Sequence, residues 1–457
     1  MTRQPAPESP PVVLTVAGSD SGGGAGIQAD CKTIEAGGGF ATTAITSVTA
    51  QNTTGVRSTH LLPTDEIDAQ IAAVREDFDV AAAKTGMLAT REVVELVADR
   101  APDLPDLVID PVMVAASGDR LLDADAEDAY ADLMAEATLV TPNADEATVL
   151  TGVDLDDATD AREAGEALVE MGADAALVKG GHLAADGEVV DVLVTDDAVR
   201  TFRHDRVATD ATHGSGCTLS AAIATELAHG ADLATAVGRA IDLLARAVRY
   251  NLDVGEGPGS VHHLVETREQ AARHPTAEDV QFVVERFVDR DVSALVPEVG
   301  MNVVGATPYA ETAAETAAVE GRITRTLSGV APNRGVRFGA SSHVARFLLA
   351  TREFDPDCRF AVNCRFDDDV EAALDALAAP VTEYDRGAEP DAVKESEGST
   401  MQWGARRAFE NADGTPAAVI DRGDVGKEAI VKLLAPDVET LVERTTALLD
   451  AVEQRDR

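Results

Sequence analysis

DATHGSGCTLSAA, residues 210–222, is the stretch on which the reading of the fold turns. A glycine turn, small hydroxyl residues and the start of an apolar helix follow one another here. The first N–H groups of a helix have no intrahelical acceptor, so around Thr212, Gly214, Ser215 and Gly216 they would point outward and form a nest for an anion. Cys217 falls in the first helical turn, where the positive end of the helix lowers a thiol's pKa, and a thiolate is expected. A phosphate cradle beside a proton acceptor suggests phosphoryl transfer. The motif alone is equally compatible with a plain turn ahead of a buried cysteine.

The surrounding 457 residues are too many for one core, and two domains are expected. Asp and Glu number 81 against 38 Lys and Arg, giving a formal net charge of -43, yet 45% of residues are hydrophobic and spread along the whole length, so the chain reads as globular. Only Lys32, Lys84, Lys179, Lys394, Lys427 and Lys432 are lysines. An acidic, lysine-poor but well-patterned chain suits a salt-rich (halophilic) cytoplasm, where screening over a few ångströms removes self-repulsion. Nucleic acid and anionic membranes would be repelled, and neither is expected as a partner. Cys31, Cys217, Cys358 and Cys364 form no CxxC pair, which argues against a zinc site or a disulfide framework and for a reducing compartment. The polar, proline-rich start has no apolar leader core and no uncharged run reaches membrane length, so a cytoplasmic location is expected.

Outward from the cradle, short apolar runs alternate with amphipathic stretches. VVLTV (12–16), FATTAITSV (40–48), VAAAKTG (80–86), LVIDPVM (107–113), TLVTPN (138–143) and AALVKGG (175–181) read as strands, with helices over 65–77, 90–100, 125–136 and 160–171. Strand and helix in alternation predict a three-layer α/β/α domain with a mostly parallel central sheet, whose ligands collect beyond the carboxyl ends of the strands. The first domain is placed at 10–265, a polar linker at 266–277, and a smaller α/β domain at 278–457. In the latter, helices are expected over 279–289, 311–320, 341–351, 369–378 and 437–453, and apolar strand-like runs at 299–306, 360–366 and 417–423.

Gly24, Gly26 and Ala29 match the GxGxxA spacing of a dinucleotide site, but the acid expected at the end of the second strand is replaced by Gln51 and Asn52, and the reading is rejected. No GxxxxGK[ST] loop is present either. Instead AGSDSGGGAGIQADCKT (17–33), TAQNTTGV (49–56), KTGML (84–88), DPVM (110–113), TPNADEA (141–147), VKGGH (178–182) and THGSGCTLSAA (212–222), in this order, resemble the bifunctional hydroxymethylpyrimidine and phosphomethylpyrimidine kinases of thiamine synthesis, in the ribokinase-like superfamily. The resemblance implies ATP as phosphoryl donor and Mg²⁺ held, largely through water, by Asp110 and Glu146. It also implies an aminopyrimidine bound by Gln51 between Ala25 and Met87. Lys179, a rare lysine at a strand end, suits phosphate. Where many superfamily members carry an aspartate after the cradle, Cys217 stands here as base for the first of two phosphorylations.

A second constellation lies between Gly321 and Thr351, a window with no Asp or Glu that carries Arg322, Arg325, Arg334, Arg337, Arg346 and His343. Clustered arginines suit bidentate phosphate binding; pairing with acids elsewhere in the fold is the alternative. This window, with EPDAVKESEGSTMQWG (389–404) and DRGDVGKEAIVKLL (421–434), resembles the archaeal thiamine-phosphate synthase domain ThiN over about 280–457. The resemblance implies Arg322 and His343 as catalytic residues. It further implies coupling of the pyrimidine pyrophosphate to hydroxyethyl-methylthiazole phosphate with release of pyrophosphate. The alternative is a kinase whose second domain only senses thiamine phosphate. A homodimer is one expected assembly.

Overall fold

The computed structural model describes the chain except residues 1–3, 5, 114–121, 123–125, 127–128, 182–186, 391–392, 394–398, 411, 413, 424–426 and 456–457. It divides into two compact units, Met1–Glu266 and Thr267–Arg457. The first contains strands β1 (Val12–Ala17), β2 (Phe40–Ile45), β3 (Ser47–Asn52), β4 (Gly55–Leu61), β5 (Val80–Thr85), β6 (Leu107–Ile109), β7 (Leu139–Val140), β8 (Ala175–Val178), β9 (Glu188–Thr195) and β10 (Val199–Asp205). Its helices are α1 (Gly26–Ala36), α2 (Thr64–Asp77), α3 (Arg91–Arg100), α4 (Tyr130–Met134), α5 (Ala144–Thr151), α6 (Ala158–Glu170), α7 (Ser215–Ala228) and α8 (Leu233–Arg249).

The main sheet runs β10-β9-β8-β7-β6-β5-β1-β2, parallel from β2 through β8 and antiparallel at β9 and β10. Alternation along the strands sends Val13, Ala82, Val108 and Leu177 toward α1, α7 and α8, and Leu14, Val16, Ala83 and Ile109 toward α2, α3 and α4. Both faces are therefore covered, which is the three-layer α/β/α arrangement. Residues 40–48, read as one strand, divide at Thr46, whose N–H bonds to Ala17 and whose hydroxyl bonds to Met87. This turns β3 out of the main sheet to pair with β4, so Gln51 lies on a separate hairpin.

The stretch 266–277, read as a linker, is helical. It belongs to α9 (Val265–Arg290), which buries Val280, Val283, Val284 and Phe287 at helical spacing in the second unit. There follow β11 (Val303–Ala306), β12 (Thr316–Val319), β13 (Ile323–Thr326), β14 (Gly329–Pro332), β15 (Val336–Phe338), α10 (His343–Thr351), β16 (Phe360–Arg365), α11 (Asp368–Ala373), β17 (Val381–Tyr384), α12 (Ser399–Glu410), β18 (Ala418–Asp421), β19 (Ile430–Ala435) and α13 (Val438–Arg455). The sheet order is β15-β12-β11-β16-β19-β18-β17, antiparallel except for β17 with β18. Helices α9, α11 and α13 cover one face and α10 and α12 the other.

The helix expected over 311–320 is not formed. The Thr312–Glu315 capping box supports a single 3₁₀ turn, and the fully buried Thr316–Val319 run joins the sheet as β12. Tertiary burial overrides the helix propensity of the alanines. Parts of the expected helix over 125–136, His182 of the VKGGH run, and segments of 389–404 and 421–434 lie outside the described residues. All four cysteines are free thiols. Among the described residues no helix is long and apolar enough to cross a membrane.

Candidate active sites

In the first unit β1 delivers the chain into a glycine-rich loop organised by Asp20. The Asp20 carboxylate accepts the N–H groups of Gly22, Gly24 and Ala25 at 2.8, 2.9 and 2.8 Å and meets His213 Nε2 at 3.2 Å. Burial opposes its ionisation, but these hydrogen bonds outweigh burial and hold the carboxyl below the usual range. The loop packs directly on the cradle. Gly214 has φ +83°, and a Cβ there would sit 1.8 Å from the Gly24 carbonyl oxygen, so only glycine fits. The Ser215 N–H bonds to the Thr212 carbonyl at 3.1 Å, and with no side chain capping α7 the N–H groups of Gly216 and Cys217 stay open to a ligand.

A cavity of about 810 Å³ opens at this helix tip, and Ala25, Gln51, Met87, Asp110, Glu146, Lys179, Thr212, Gly214, Ser215, Gly216 and Cys217 all line it. These are all the candidate residues read from this part of the sequence, brought together beyond the carboxyl ends of β1, β5, β6, β7 and β8. Lys179 Nζ donates to Asp110 Oδ1 at 3.1 Å and lies 4.0 Å from Glu146 Oε2. Glu146 also closes the α5 capping box, accepting the Asn143 N–H at 2.8 Å. Burial, with Asp110 adding to it, pushes the Glu146 carboxyl up to about 7 against the pull of Lys179. Two buried acids that repel each other's charge are a fitting seat for a cation. Among the described residues no group of three acidic, histidine or cysteine ligands occurs, so the remaining coordination would come from water and phosphate.

The thiolate expected at Cys217 is not found. Burial pushes the thiol up to about 11; Lys84 and a hydrogen bond from the Gly26 N–H oppose this, while Asp30 and Asp110 reinforce it. The helix end is outweighed because the sulfur sits in a low-dielectric site shared with two carboxylates. Lys84 and Asp30 went unrecognised in the sequence: both are fully buried, paired at 2.9 Å, with Thr15 donating to Asp30 at 2.6 Å. His213, His204 and Asp191, which also line the cavity, were missed as well. His213 stands inside the cradle motif itself and was the most findable of them.

In the second unit Arg322 is an exposed residue whose backbone is fixed by its neighbours. Its φ of +84° is a conformation that costs about 1–3 kcal/mol for a residue with a side chain. Neighbouring bonds fix it: Asn333 N–H to the Arg322 carbonyl at 2.8 Å, the paired Met301 and Ile323 backbones, and the guanidinium on the Val299 carbonyl. His343 opens α10 with Ser342 Oγ 3.4 Å from its Nδ1. Burial and then the charges of Arg322, Arg346, Arg386 and Lys432 lower its pKa, which brings the two sequence-read residues into one electrostatic neighbourhood. The acid-free island divides: Arg334 and Arg337 pair with Glu320, whereas Arg322 and Arg325 bond to backbone carbonyls.

A cavity that offers N–H donors and an ammonium to an anion and two acids to a cation, beyond the strand ends of a three-layer sheet, belongs to the ribokinase-like class of small-molecule kinases. Residues 20–262 match the model of the phosphomethylpyrimidine kinase family, and the chain belongs to that family. Residues 279–447 match that of the thiamine-phosphate synthase ThiN. The hydroxymethylpyrimidine/phosphomethylpyrimidine kinase of Haemophilus influenzae is 45% identical over 262 residues, covering 56% of this chain and 97% of that protein. The thiamine biosynthesis bifunctional protein ThiED of Geobacter sulfurreducens is 43% identical over 256 residues; the match spans 55% of this chain and 52% of that protein. Among solved structures, the Bacillus subtilis pyridoxal kinase ADP complex has 34% identity and a TM-score of 0.52, with 56% of this chain and 98% of that one covered. The Staphylococcus aureus pyridoxal kinase with AMP-PCP and pyridoxal has 29% identity and a TM-score of 0.53, covering 57% and 96%. The chain is thus an enzyme of thiamine biosynthesis that joins a pyrimidine kinase unit to a ThiN unit.

Proposed function

We propose that the first unit transfers the γ-phosphoryl of ATP to 4-amino-5-hydroxymethyl-2-methylpyrimidine and then to its monophosphate. The second unit couples the resulting pyrophosphate to hydroxyethyl-methylthiazole phosphate, giving thiamine phosphate and pyrophosphate. The observation that carries the first half is the convergence of the sequence-read residues on one cavity at the tip of α7.

Gln51 offers an amide edge to the aminopyrimidine, with Ala25 and Met87 against the ring faces. The Gly216 and Cys217 N–H groups, the Ser215 hydroxyl and Lys179 receive the phosphoryl oxygens as charge spreads over them. Asp110 and Glu146 would hold Mg²⁺, which when bound offsets charge on the triphosphate. Cys217, a neutral thiol in the resting chain, serves as hydrogen-bond partner of the reacting hydroxyl. The new O–P bond forms as the bond to the ADP oxygen breaks, and the hydroxyl proton passes to an oxygen of the transferred phosphoryl group during transfer, in keeping with a loose transition state. In the second phosphorylation the nucleophile is an ionised phosphate and needs this partner less.

In the second unit Arg322 stabilises the pyrophosphate as it leaves and His343 donates a hydrogen bond to it. This lowers the barrier to the pyrimidinylmethyl cation that the thiazole nitrogen captures. The chain works in a salt-rich cytoplasm, and a homodimer is the assembly to test. Purified in molar salt, it should convert hydroxymethylpyrimidine, thiazole phosphate and Mg·ATP to thiamine phosphate. Pyrimidine pyrophosphate accumulating without coupling would make the second unit a sensor. Pyridoxal phosphorylated in preference to hydroxymethylpyrimidine would overturn the substrate assignment.

A further inference from the structure

The arginine that the coupling reading leaves without work is Arg346. Among the described residues the Arg346 side chain makes no hydrogen bond or ion pair, while its backbone N–H bonds to the Ser342 carbonyl at 2.9 Å. It stands one helical turn beyond His343 on α10, at the spacing that puts two side chains on one face. Its charge acts on His343 together with that of Arg322. Two cations from separate elements, Arg322 after β12 and Arg346 on α10, therefore stand near one imidazole with no acid of their own.

Beneath them lies a built foundation. Asp421, at the end of β18, is fully buried and accepts Arg386 Nε and Nη2 at 2.7 and 2.6 Å and the Tyr384 hydroxyl at 2.6 Å. Lys432, on the neighbouring β19, is 1% exposed and reaches Asp421 Oδ2 and the Tyr384 oxygen only at 3.4 Å. Its ammonium lies 4.6 Å from the Phe347 ring centre, and Phe347 is one turn below His343 on α10. Burial lowers the Lys432 pKa to about 8 while Asp421 holds it up, so the ammonium stays mostly charged at pH 7 beneath α10. Arg322, Arg346, Arg386 and Lys432 all act on His343. Clustered cations of this kind suit a phosphate group.

We propose that Arg346 binds a phosphate group of the second unit's substrates directly, and that Lys432, anchored on Asp421, is a positioning residue that fixes the charge and orientation of this seat from below. The proposal rests on the phosphate-coupling reading of the second unit. The ligand is a phosphorylated small molecule, and both coupling substrates carry such a group: a pyrophosphate on the pyrimidine and a monophosphate on the thiazole.

The test uses the full chain, fed preformed pyrimidine pyrophosphate and thiazole phosphate, each varied in turn, with inorganic pyrophosphate as competing probe. Thermal melts and near-UV circular dichroism of each variant report folding of the second unit, and phosphorylation of hydroxymethylpyrimidine by the same sample reports that of the first. Arg346→Met should raise the inhibition constant of pyrophosphate, or KM for thiazole phosphate, about tenfold, with less change in kcat, and Arg346→Lys should recover part. A rise confined to the pyrimidine pyrophosphate and to the probe assigns the seat to the leaving group; one confined to thiazole phosphate assigns it there. Lys432→Met should move the same constants, and Lys432→Arg should restore them in large part. Unchanged constants in Arg346→Met overturn the direct contact, and equal losses in Lys432→Met and Lys432→Arg overturn the positioning role. Should the wild-type chain not couple at all, calorimetry with pyrophosphate and the first unit filled with AMP-PCP separates the two ideas. Binding lost in Arg346→Met keeps the seat and removes the synthase reading, whereas binding retained, or absent in the wild type, removes the seat.

Discussion

On the proposed function the two units face the same problem, holding phosphate within a chain of net charge -43, and would meet it in opposite ways. In the first, the cations are already matched: Lys84 with Asp30, and Lys179 with Asp110 and Glu146. Anion binding falls to backbone N–H groups at the tip of α7, whose partial charges need no counter-ion. In the second, Arg322 and Arg346 stand without acidic partners over a buried Lys432, and side-chain charge does the work. The contrast teaches that a strongly acidic protein can keep a phosphate site either by using dipoles or by clearing carboxylates from one stretch of sequence.

The sharpest way to break this comparison is to remove one device at a time. Arg322→Ala should lower coupling by about 10²–10³-fold, the loss typical of one transition-state donor, with hydroxymethylpyrimidine phosphorylation unchanged in the same preparation. Loss of both activities would mean that the two sites are not independent. Gly214→Ala should be nearly as severe for the kinase, since a Cβ would meet the Gly24 carbonyl at 1.8 Å and the left-handed φ disfavours any side chain. Retained phosphorylation with normal KM for ATP would contradict the N–H cradle.

Cys217→Ala should slow the first phosphorylation by about tenfold, the worth of one hydrogen bond, and the second by less. Its alkylation by iodoacetamide should keep accelerating up to about pH 11, as expected from burial of the thiol. A midpoint below about 7 would restore the preformed thiolate. A smaller effect concerns stability. Burial first, and then the charges of Lys32, His262 and His213, lower the His263 pKa to about 4. The unfolded chain therefore binds the extra proton between about pH 6.5 and 4, and stability should be fully present above that window and fall by up to about 3 kcal/mol across it. Thermal melts in which His263→Gln shows the same acid sensitivity as wild type would refute this contribution.

Much of the first site was legible because its devices are local in sequence. Gly214 to Cys217 form one turn, and Asp110, Glu146 and Lys179 each follow an apolar strand, where a parallel sheet must present its ligands. What was not legible depends on three-dimensional burial. The ionisation of Cys217 could not be read from its place at a helix start, because Asp30 and Asp110 reach it from other elements. The second site shows the same divide. Missing acids between Gly321 and Thr351 pointed to a group of arginines with His343, and only the resemblance to ThiN singled out Arg322 and His343, whereas Arg386, Asp421 and Lys432 come from distant strands and turns of a mainly antiparallel sheet. There alternation placed them beneath α10. Strand β12 escaped because buried alanines suit either element, and the long helix α9 escaped because its polar first half carries no core pattern.

The central claim, that one chain carries two independent phosphate sites acting in sequence, is tested most directly by a single time course. The full protein in molar salt is given hydroxymethylpyrimidine, thiazole phosphate and Mg·ATP, and the pyrimidine phosphates and thiamine phosphate are quantified together. The account predicts pyrimidine monophosphate and pyrophosphate as transient species, followed by thiamine phosphate. Pyrimidine pyrophosphate that accumulates with no thiamine phosphate, or a pyrimidine that is never phosphorylated, would contradict it.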